Sequence, residues 1–172
     1  MKEIYPEGTF LVYDTYGICE IKSVKKMAFT KSAPFKTYYV LSPLNSPSST
    51  FYVPVDNEEL CSSKLRAPMS EQEIKKLLDK SKDVSVDWID NRQNRNENFH
   101  RILDGGITAE LLALIRCLYS RKQKLSADGK KLSGTDEGFF SSAEKLVREE
   151  FAFSLGIDSD KVTDYIQNYY ER

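Results

Sequence analysis

The sequence predicts an α+β fold in which a small N-terminal β-barrel precedes an all-helical C-terminal domain. Strand-like runs fill residues 8–55, and helical periodicity replaces them after Pro68. Apolar residues make up 40% of the 172 residues and charged residues 30%, which provides enough apolar side chains for a folded core. We therefore expect two domains, residues 1–69 and residues 70–172.

Four runs in the first half have the β-branched and aromatic composition of short strands. These runs are Thr9–Tyr13, Ile18–Val24, Thr37–Leu41 and Thr50–Val55. Gly17 lies in the turn after the first run, where a positive φ is expected. Pro54 cannot donate a ladder hydrogen bond, so it ends a strand or marks an edge. Strands this short and closely spaced predict a strongly bent, barrel-like sheet.

Helix start and stop signals follow Pro68. Ser70 and Glu73 have the spacing of a capping box, in which each side chain satisfies a free backbone amide. The pair Gly105–Gly106 predicts the end of a helix that begins at Trp88.

Three further helices are expected after this glycine pair. They begin at Thr108, near Phe139 and at Lys161. Residues 126–137 are rich in Gly, Ser and Asp, and they are predicted to form a loop between the first two of these helices. The second half of the chain is therefore predicted to consist of helices joined by loops.

Trp88 heads the predicted helix and is the only tryptophan of the chain. It is spaced i, i+4, i+7 and i+11 with Arg92, Arg95 and Phe99, which is one stripe of an α-helix. A large ring beside two guanidinium groups suits contact with a nucleic-acid backbone and its bases. The alternative interpretation is that Trp88 caps a core and the arginines are a solvated face. The residues alone leave both interpretations open.

A local excess of basic side chains lies in residues 92–124, although the formal net charge of the chain is −1. The basic members are Arg92, Arg95, Arg101, Arg116, Arg121, Lys122 and Lys124. The same range contains only three acidic residues. A patch of this kind favours nucleic-acid binding, but many ordinary helical surfaces carry as much charge.

Several function classes find no support in the sequence. The chain lacks an apolar run of the roughly 20 residues that a membrane helix needs, and we expect neither a span nor a secretory signal. His100 has no second ligand at metal-binding spacing, and the three cysteines are predicted to be reduced thiols of a cytoplasmic protein. We therefore expect a binding protein with no metal, cofactor or small-molecule substrate, and not an enzyme.

The strand motifs of the first half carry a family resemblance. The segments Gly8–Tyr13, Tyr38–Leu41 and Phe51–Asn57 resemble the RNA-polymerase-interacting domain of the bacterial CarD/CdnL transcription factors, which transcription-repair coupling factor shares. The helical half from Trp88 onward resembles the C-terminal domain of the same family. The resemblance implies a Tudor-like barrel that binds the RNA polymerase β subunit, and a helical domain that contacts promoter DNA at the upstream edge of the bubble.

The resemblance also implies contact residues by position. The expected polymerase-facing set is Met27, Ala28, Phe29, Thr50, Phe51 and Tyr52, to which Pro54 is added as an edge signal. The expected DNA-facing set is Trp88 as a minor-groove wedge with Arg92 and Arg95 as phosphate contacts, to which Arg116 and Lys122 are added from the basic cluster. Some family members carry basic residues at the positions of Met27 and Tyr52, so this contact is expected to be more apolar.

The expected function is a transcriptional regulator that docks on polymerase and modulates open-complex stability. Its DNA contact should be largely independent of sequence, because phosphate contacts and a minor-groove wedge detect shape more than base identity. The rival is a protein–protein adaptor whose helical domain binds another protein, with Trp88 as the anchor. Salt dependence separates the two, because DNA binding weakens steeply with salt.

Overall fold

The computed structural model describes residues 5–172, which divide into two compact units between Pro68 and Met69. Among these residues, the first unit holds five strands and one short α-helix, and the second holds five α-helices. The α+β class predicted from the sequence is therefore confirmed.

The strands of the first unit are β1 (Phe10–Tyr13), β2 (Ile18–Met27), β3 (Lys36–Pro43), β4 (Phe51–Pro54) and β5 (Leu65–Arg66). They pair antiparallel in the order β4-β3-β2-β1-β5. Within residues 5–172, β4 and β5 are the two edges, so the sheet is open. The predicted Tudor-like barrel is therefore not confirmed.

Turn and helix chemistry connect these strands. Gly17 has φ 80°, as the turn after β1 was predicted to require, and its carbonyl accepts the backbone N–H of Tyr13 at 2.9 Å. Helix α1 (Glu58–Lys64) joins β4 to β5 and was not predicted. The Asn57 side chain caps it by accepting the backbone N–H of Leu60 at 3.0 Å.

The inner face of the sheet carries the core of the first unit. Its buried members are Leu11, Cys19, Ile21, Tyr39, Leu41, Val53 and Leu65. They fall on alternate positions along each strand, because successive side chains point to opposite faces of a sheet. The other face of β3 and β4 is left for contacts outside this core.

The second unit contains α2 (Glu71–Ser81), α3 (Arg92–Gly105), α4 (Thr108–Ala127), α5 (Gly134–Leu155) and α6 (Val162–Tyr170). Its core draws on all five helices, with Phe99, Leu114 and Phe151 among its fully buried side chains. No helix within residues 5–172 has both the length and the apolar character needed to cross a bilayer.

Two helix signals of the sequence are confirmed. Ser70 and Glu73 form the predicted capping box, with both reciprocal bonds present. Gly106 ends α3 in the left-handed conformation at φ 62°. These signals involve neighbours in sequence, so they act wherever the segment lies in the fold.

Two predicted boundaries are wrong. The helix expected from Trp88 begins at Arg92, because the Asn91 side chain caps it by accepting the Asn94 N–H at 3.0 Å. Residues 134–137, expected in a loop, form the first turn of α5, because Ser133 is its N-cap. Both corrections concern the segments that hold the candidate site of the second unit.

Candidate functional site

An exposed aromatic cluster lies on the outer face of the sheet in the first unit. The Phe29 ring centroid is 5.1 Å from that of Tyr38 and 5.3 Å from that of Tyr52, both edge to face. Phe29 is 56% exposed and Tyr52 is 43% exposed. We call Phe29, Tyr38 and Tyr52 the aromatic cluster. Because three rings support one another here, a partner would meet a preformed apolar patch.

Tyr52 provides the backbone groups that are available for pairing at the free edge of β4. The Val55 N–H donates to the Thr37 carbonyl at 2.9 Å, so these two residues form a hydrogen-bonded pair of the β3–β4 ladder. By alternation, Tyr52 and Pro54 direct their backbone groups away from β3. Pro54 has no N–H, and its carbonyl already accepts the Cys61 thiol at 3.4 Å. A strand added to this edge would therefore pair with Tyr52.

The remaining residues predicted to face polymerase are divided between two surfaces. Met27 and Ala28 are half-buried at the end of β2, next to Phe29, and Thr50 is exposed just before β4. Phe51 lies on the opposite face from Tyr52, where its ring is 4.4 Å from that of Tyr16. The structure thus brings Phe29 and Tyr52 together and separates Phe51 from them.

Arg95 of the second unit, predicted to contact phosphate, is buried and held by internal partners. Its Nε and one terminal nitrogen bind both carboxylate oxygens of Asp136, at 3.0 and 3.2 Å, and the two side chains are 8% and 4% exposed. The other terminal nitrogen donates to the carbonyls of Ile89 at 2.8 Å and Asp90 at 3.2 Å. Direct contact of Arg95 with phosphate is therefore not supported, because its donors are already engaged.

Trp88 lies just before α3, half-buried against the core of the second unit. The guanidinium carbon of Arg95 is 4.2 Å from the centre of the Trp88 ring, and that of Arg121 is 4.8 Å away. The ring also meets Phe99 edge to face at 6.5 Å. Two cations on one indole give it a fixed orientation while part of its surface stays accessible.

The first turn of α5 binds three of the basic side chains predicted to face DNA. The pairs are Arg92–Thr135 at 3.2 Å, Arg95–Asp136 as above and Lys122–Glu137 at 2.8 Å. Arg92 and Lys122 are exposed, unlike Arg95. These two cations therefore lie at the surface beside the start of α5.

Two groups of the second unit have shifted pKa values. Burial opposes ionisation of the Asp136 carboxyl, but hydrogen bonds from Arg95 and Ser133 outweigh it, so its pKa lies below the usual value. Burial raises the pKa of the Cys117 thiol, and the negative charge of Asp87 raises it further. Asp136 is therefore ionised at neutral pH, and Cys117 is a protonated thiol.

Arg116, also predicted to face DNA, has a different environment. Its guanidinium donates to the backbone carbonyls of Ser81, at 2.6 Å, and Val84. Its guanidinium carbon lies 4.7 Å from the centre of the Tyr170 ring. Arg116 therefore holds the segment after α2 against α4 and α6, and a phosphate contact would require it to leave these partners.

Sequence reasoning missed Arg121 and Asp136 as members of the site. Arg121 counted only as one charge of the basic cluster, although its Nε is buried without a hydrogen-bond partner among the described residues. Asp136 fell in the segment predicted as loop. A capping signal was present, because Ser133 stands three residues before an acidic side chain and accepts the Asp136 N–H at 3.1 Å.

Comparison with known proteins assigns the first unit. Residues 5–67 match the family described as the CarD-like/TRCF RID domain. The first unit is a CarD-like RNA-polymerase-interacting domain. None of the curated proteins compared with the chain matches it.

The RNA-polymerase-interacting domain contains both the aromatic cluster and the Tyr52 edge. The matched range includes every strand of the sheet and ends at residue 67, just before the second unit. Interaction with RNA polymerase is therefore assigned to this domain as a whole.

Proposed function

We propose that this protein is a bacterial, cytoplasmic, non-enzymatic transcription regulator of two functional domains. Its RNA-polymerase-interacting domain docks on the polymerase β subunit, and its helical unit contacts promoter DNA at the upstream edge of the bubble. The observation that carries the proposal is the family match of residues 5–67. The aromatic cluster beside an open strand edge supports it, because strand addition with apolar anchoring is a common mode of peptide recognition.

The polymerase contact is proposed to combine main-chain pairing at Tyr52 with burial of the aromatic cluster. Tyr52 offers one outward N–H and one outward carbonyl, so backbone pairing alone gives a short ladder. Phe29 and Tyr52 offer large apolar area next to it. Most of the binding free energy should therefore come from the rings, and the ladder should set the orientation.

Substitutions at Tyr52 separate these two contributions. Tyr52→Ala removes the ring and keeps the outward N–H, whereas Tyr52→Pro removes both and leaves the inward hydrogen bonds of β4 intact. We expect both variants of the full chain to bind the purified β subunit more weakly, with Tyr52→Pro about tenfold weaker than Tyr52→Ala. Leu44→Ser, at an exposed loop leucine, is the control.

If Tyr52→Ala and Tyr52→Pro bind the β subunit with equal affinity, strand addition at this edge is excluded. Docking through side chains then remains as the mode of binding. If Phe29→Ser and both Tyr52 variants bind like the parent chain, the aromatic cluster is not the docking surface. Circular dichroism and thermal melting of each variant establish that the sheet is folded before its affinity is compared.

The DNA contact is proposed for the surface where Trp88, Arg92 and Lys122 lie around the start of α5. Arg121 is added, since its guanidinium stacks on Trp88 and makes no ion pair among the described residues. Arg95 supports this surface from inside through Trp88 and Asp136. Binding should be largely independent of sequence, since phosphates and a partly exposed ring read duplex shape.

The salt dependence of DNA affinity tests this surface. Each of Arg92→Ala, Arg121→Ala and Lys122→Ala that removes a phosphate contact should reduce the slope of log affinity against log salt by about one. Lys75→Ala on α2, which also removes a cation from an exposed ion pair, is the matched control. Unchanged slopes for all three variants would contradict DNA contact here.

Regulation follows from preferential binding to one state of the promoter. If the chain binds the polymerase–promoter complex more tightly after the DNA has opened, the closed–open equilibrium shifts by that difference in affinity. The two-point contact makes this possible, since the polymerase contact is the same in both states and the DNA contact changes.

A protein–protein adaptor is the second candidate for the helical unit. Arg95 and Arg116 are engaged by internal partners, which leaves fewer cations for phosphate than the sequence suggested. Under this alternative, Trp88 anchors a protein interface. The adaptor is favoured if a protein partner stays bound to the helical unit at high salt. It is also favoured if the slope of log DNA affinity against log salt is near zero.

A further inference from the structure

A cavity of about 670 Å³ lies in the helical unit, between the end of α4 and the start of α5. Its volume falls within the range of about 300–1,000 Å³ typical of small-molecule sites. The walls come from both helices, the connecting loop and Thr163 of α6. Neither the polymerase contact nor the DNA contact proposed above accounts for this cavity.

The interior of the cavity is apolar and partly aromatic. Phe140 is buried, and Tyr119 and Leu132 are half-buried, with all three lining the space. These side chains come from α5, α4 and the loop, so the apolar surface is built from three separate segments. A flat apolar body would therefore meet apolar groups on more than one side.

The carboxylates of the cavity wall are already paired. Glu137 accepts the Lys122 ammonium at 2.8 Å, and that ammonium also lies 5.3 Å from the centre of the Phe140 ring. Glu144 accepts the Thr163 hydroxyl at 2.7 Å on one oxygen and Arg148 at 3.1 Å on the other. Neither carboxylate is therefore available to repel an anion strongly.

Two lysines of the cavity rim have no such partner. Lys130 and Lys131 are exposed in the α4–α5 loop and line the cavity, and neither makes an ion pair within residues 5–172. Their charge is therefore uncompensated next to an apolar interior. This combination of apolar walls and an unpaired cationic rim is complementary to a small aromatic anion.

We propose that this cavity binds a small aromatic anion, whose ring lies against Phe140, Tyr119 and Leu132 and whose acidic group contacts Lys130 and Lys131. The ring displaces water from apolar surface, and the two ammonium groups form charge-assisted hydrogen bonds with the acidic group. Lys122 lines the same cavity and also belongs to the proposed DNA surface, so the two sites share one side chain.

Titration of the full chain with anilinonaphthalene sulfonate, followed by fluorescence and calorimetry, tests the site. We expect one probe molecule per chain, and an affinity about tenfold lower for the double variant Lys130→Gln/Lys131→Gln. Ser126→Trp, which places a large ring in the cavity from the last turn of α4, should abolish binding. The double variant Lys124→Gln/Lys145→Gln changes two exposed lysines that do not line the cavity and should bind like the parent.

Each other outcome contradicts the proposal. Binding that is unaffected by Ser126→Trp, or a stoichiometry well above one, would indicate adsorption elsewhere on the chain. Equal affinity of the parent and Lys130→Gln/Lys131→Gln would exclude recognition of the anionic group. Thermal melting of each variant excludes loss of fold as the cause.

Discussion

The guanidinium carbon of Arg95 lies 4.2 Å from the centre of the Trp88 ring, although Trp88 precedes the helix that carries Arg95. The same guanidinium binds the carbonyls of Ile89 and Asp90, which directly follow the tryptophan. Arg95 therefore fixes both the ring and the backbone leading from it, and Asp136 holds Arg95 in turn. The position of the exposed part of Trp88 depends on this buried ion pair.

Breaking the Arg95–Asp136 pair should destabilise the helical unit. Arg95→Ala or Asp136→Ala leaves one charge buried without its partner, which costs about 3–5 kcal/mol. The double variant Arg95→Met/Asp136→Leu removes both charges and should cost less than the sum of the single changes. Chemical denaturation followed by the helical circular dichroism signal measures all three free energies of unfolding.

The exposed pair of Arg101 and Glu110, at 3.7 Å, provides the control for this comparison. Its single variants should change the free energy of unfolding by less than about 1 kcal/mol, because water screens a surface ion pair. If the Arg95 and Asp136 variants behaved like this control, the buried pair would contribute little to stability.

Stability of the helical unit should fall in acid through Asp136. Its pKa is lower in the folded chain than in the unfolded chain, so the folded state binds fewer protons between the two values. The stabilisation is complete above the unfolded value of about 3.9 and is lost as pH falls through the folded value. Thermal melting of the parent from neutral pH down to about pH 2.5 should show this loss.

Asp136→Asn removes the titrating group and should flatten the acid limb of that profile, although the variant is less stable at neutral pH. Asp128→Asn, at an exposed carboxyl of the α4–α5 loop, is the matched control and should retain the limb. A parental acid limb in Asp136→Asn would assign the pH dependence to other carboxyls.

Trp88 has a structural and a proposed functional role, and the size of its effects separates them. Because the ring is half-buried, Trp88→Ala should cost about 1–3 kcal/mol of folding free energy, less than the 3–5 kcal/mol typical of a fully buried ring. Trp88→Phe keeps an aromatic face for Arg95 and Arg121 and should recover part of this loss. Denaturation curves of both variants supply the values.

The proposed functional role of Trp88 is tested on the open promoter complex. If the ring contacts distorted DNA, Trp88→Ala should shorten the lifetime of the complex beyond what the unfolded fraction explains, while binding to the β subunit stays at the parental level. A normal lifetime after that correction would leave Trp88 with its structural role alone.

The two glycines at the end of α3 should respond to alanine in opposite directions. Gly106 has φ 62°, where an alanine Cβ is strained, so Gly106→Ala should cost about 1 kcal/mol. Gly105 is helical with open space around its Cβ position, so Gly105→Ala should stabilise by up to about 1 kcal/mol. Equal effects in thermal melting would contradict the left-handed cap.

Local chemistry explains which parts of the fold could be predicted. Gly17, the Ser70–Glu73 box and Gly106 act through neighbours within a few residues, and all three appear as predicted. The partner of Arg95 is Asp136, 41 positions away, and no local pattern connects them. The sequence therefore predicted the proximity of Trp88 and Arg95 from one stripe of a helix. In the structure Trp88 lies in the loop before α3, and the Asp136 carboxylate holds Arg95 against it.

The sequence also did not predict whether the sheet closes or what surrounds each basic residue. Strand composition predicts strands but does not determine whether β4 and β5 meet. Counting charges in residues 92–124 treats Arg92, Arg95 and Arg116 alike, although only Arg92 is exposed. The difference arises from tertiary partners, namely Asp136 for Arg95 and two backbone carbonyls for Arg116.

Tyr52 is the one outward-facing residue of β4 that can pair with another strand, and this also bears on how the chain avoids associating with itself. A long unpaired edge recruits copies of the same strand and seeds aggregation, and natural sheets limit this with short edges and proline. Here Pro54 and its engaged carbonyl leave Tyr52 as the one pairing position within β4. The edge is therefore too short to template a growing sheet, and its one pairing position is enough for the proposed orientation of a single partner strand.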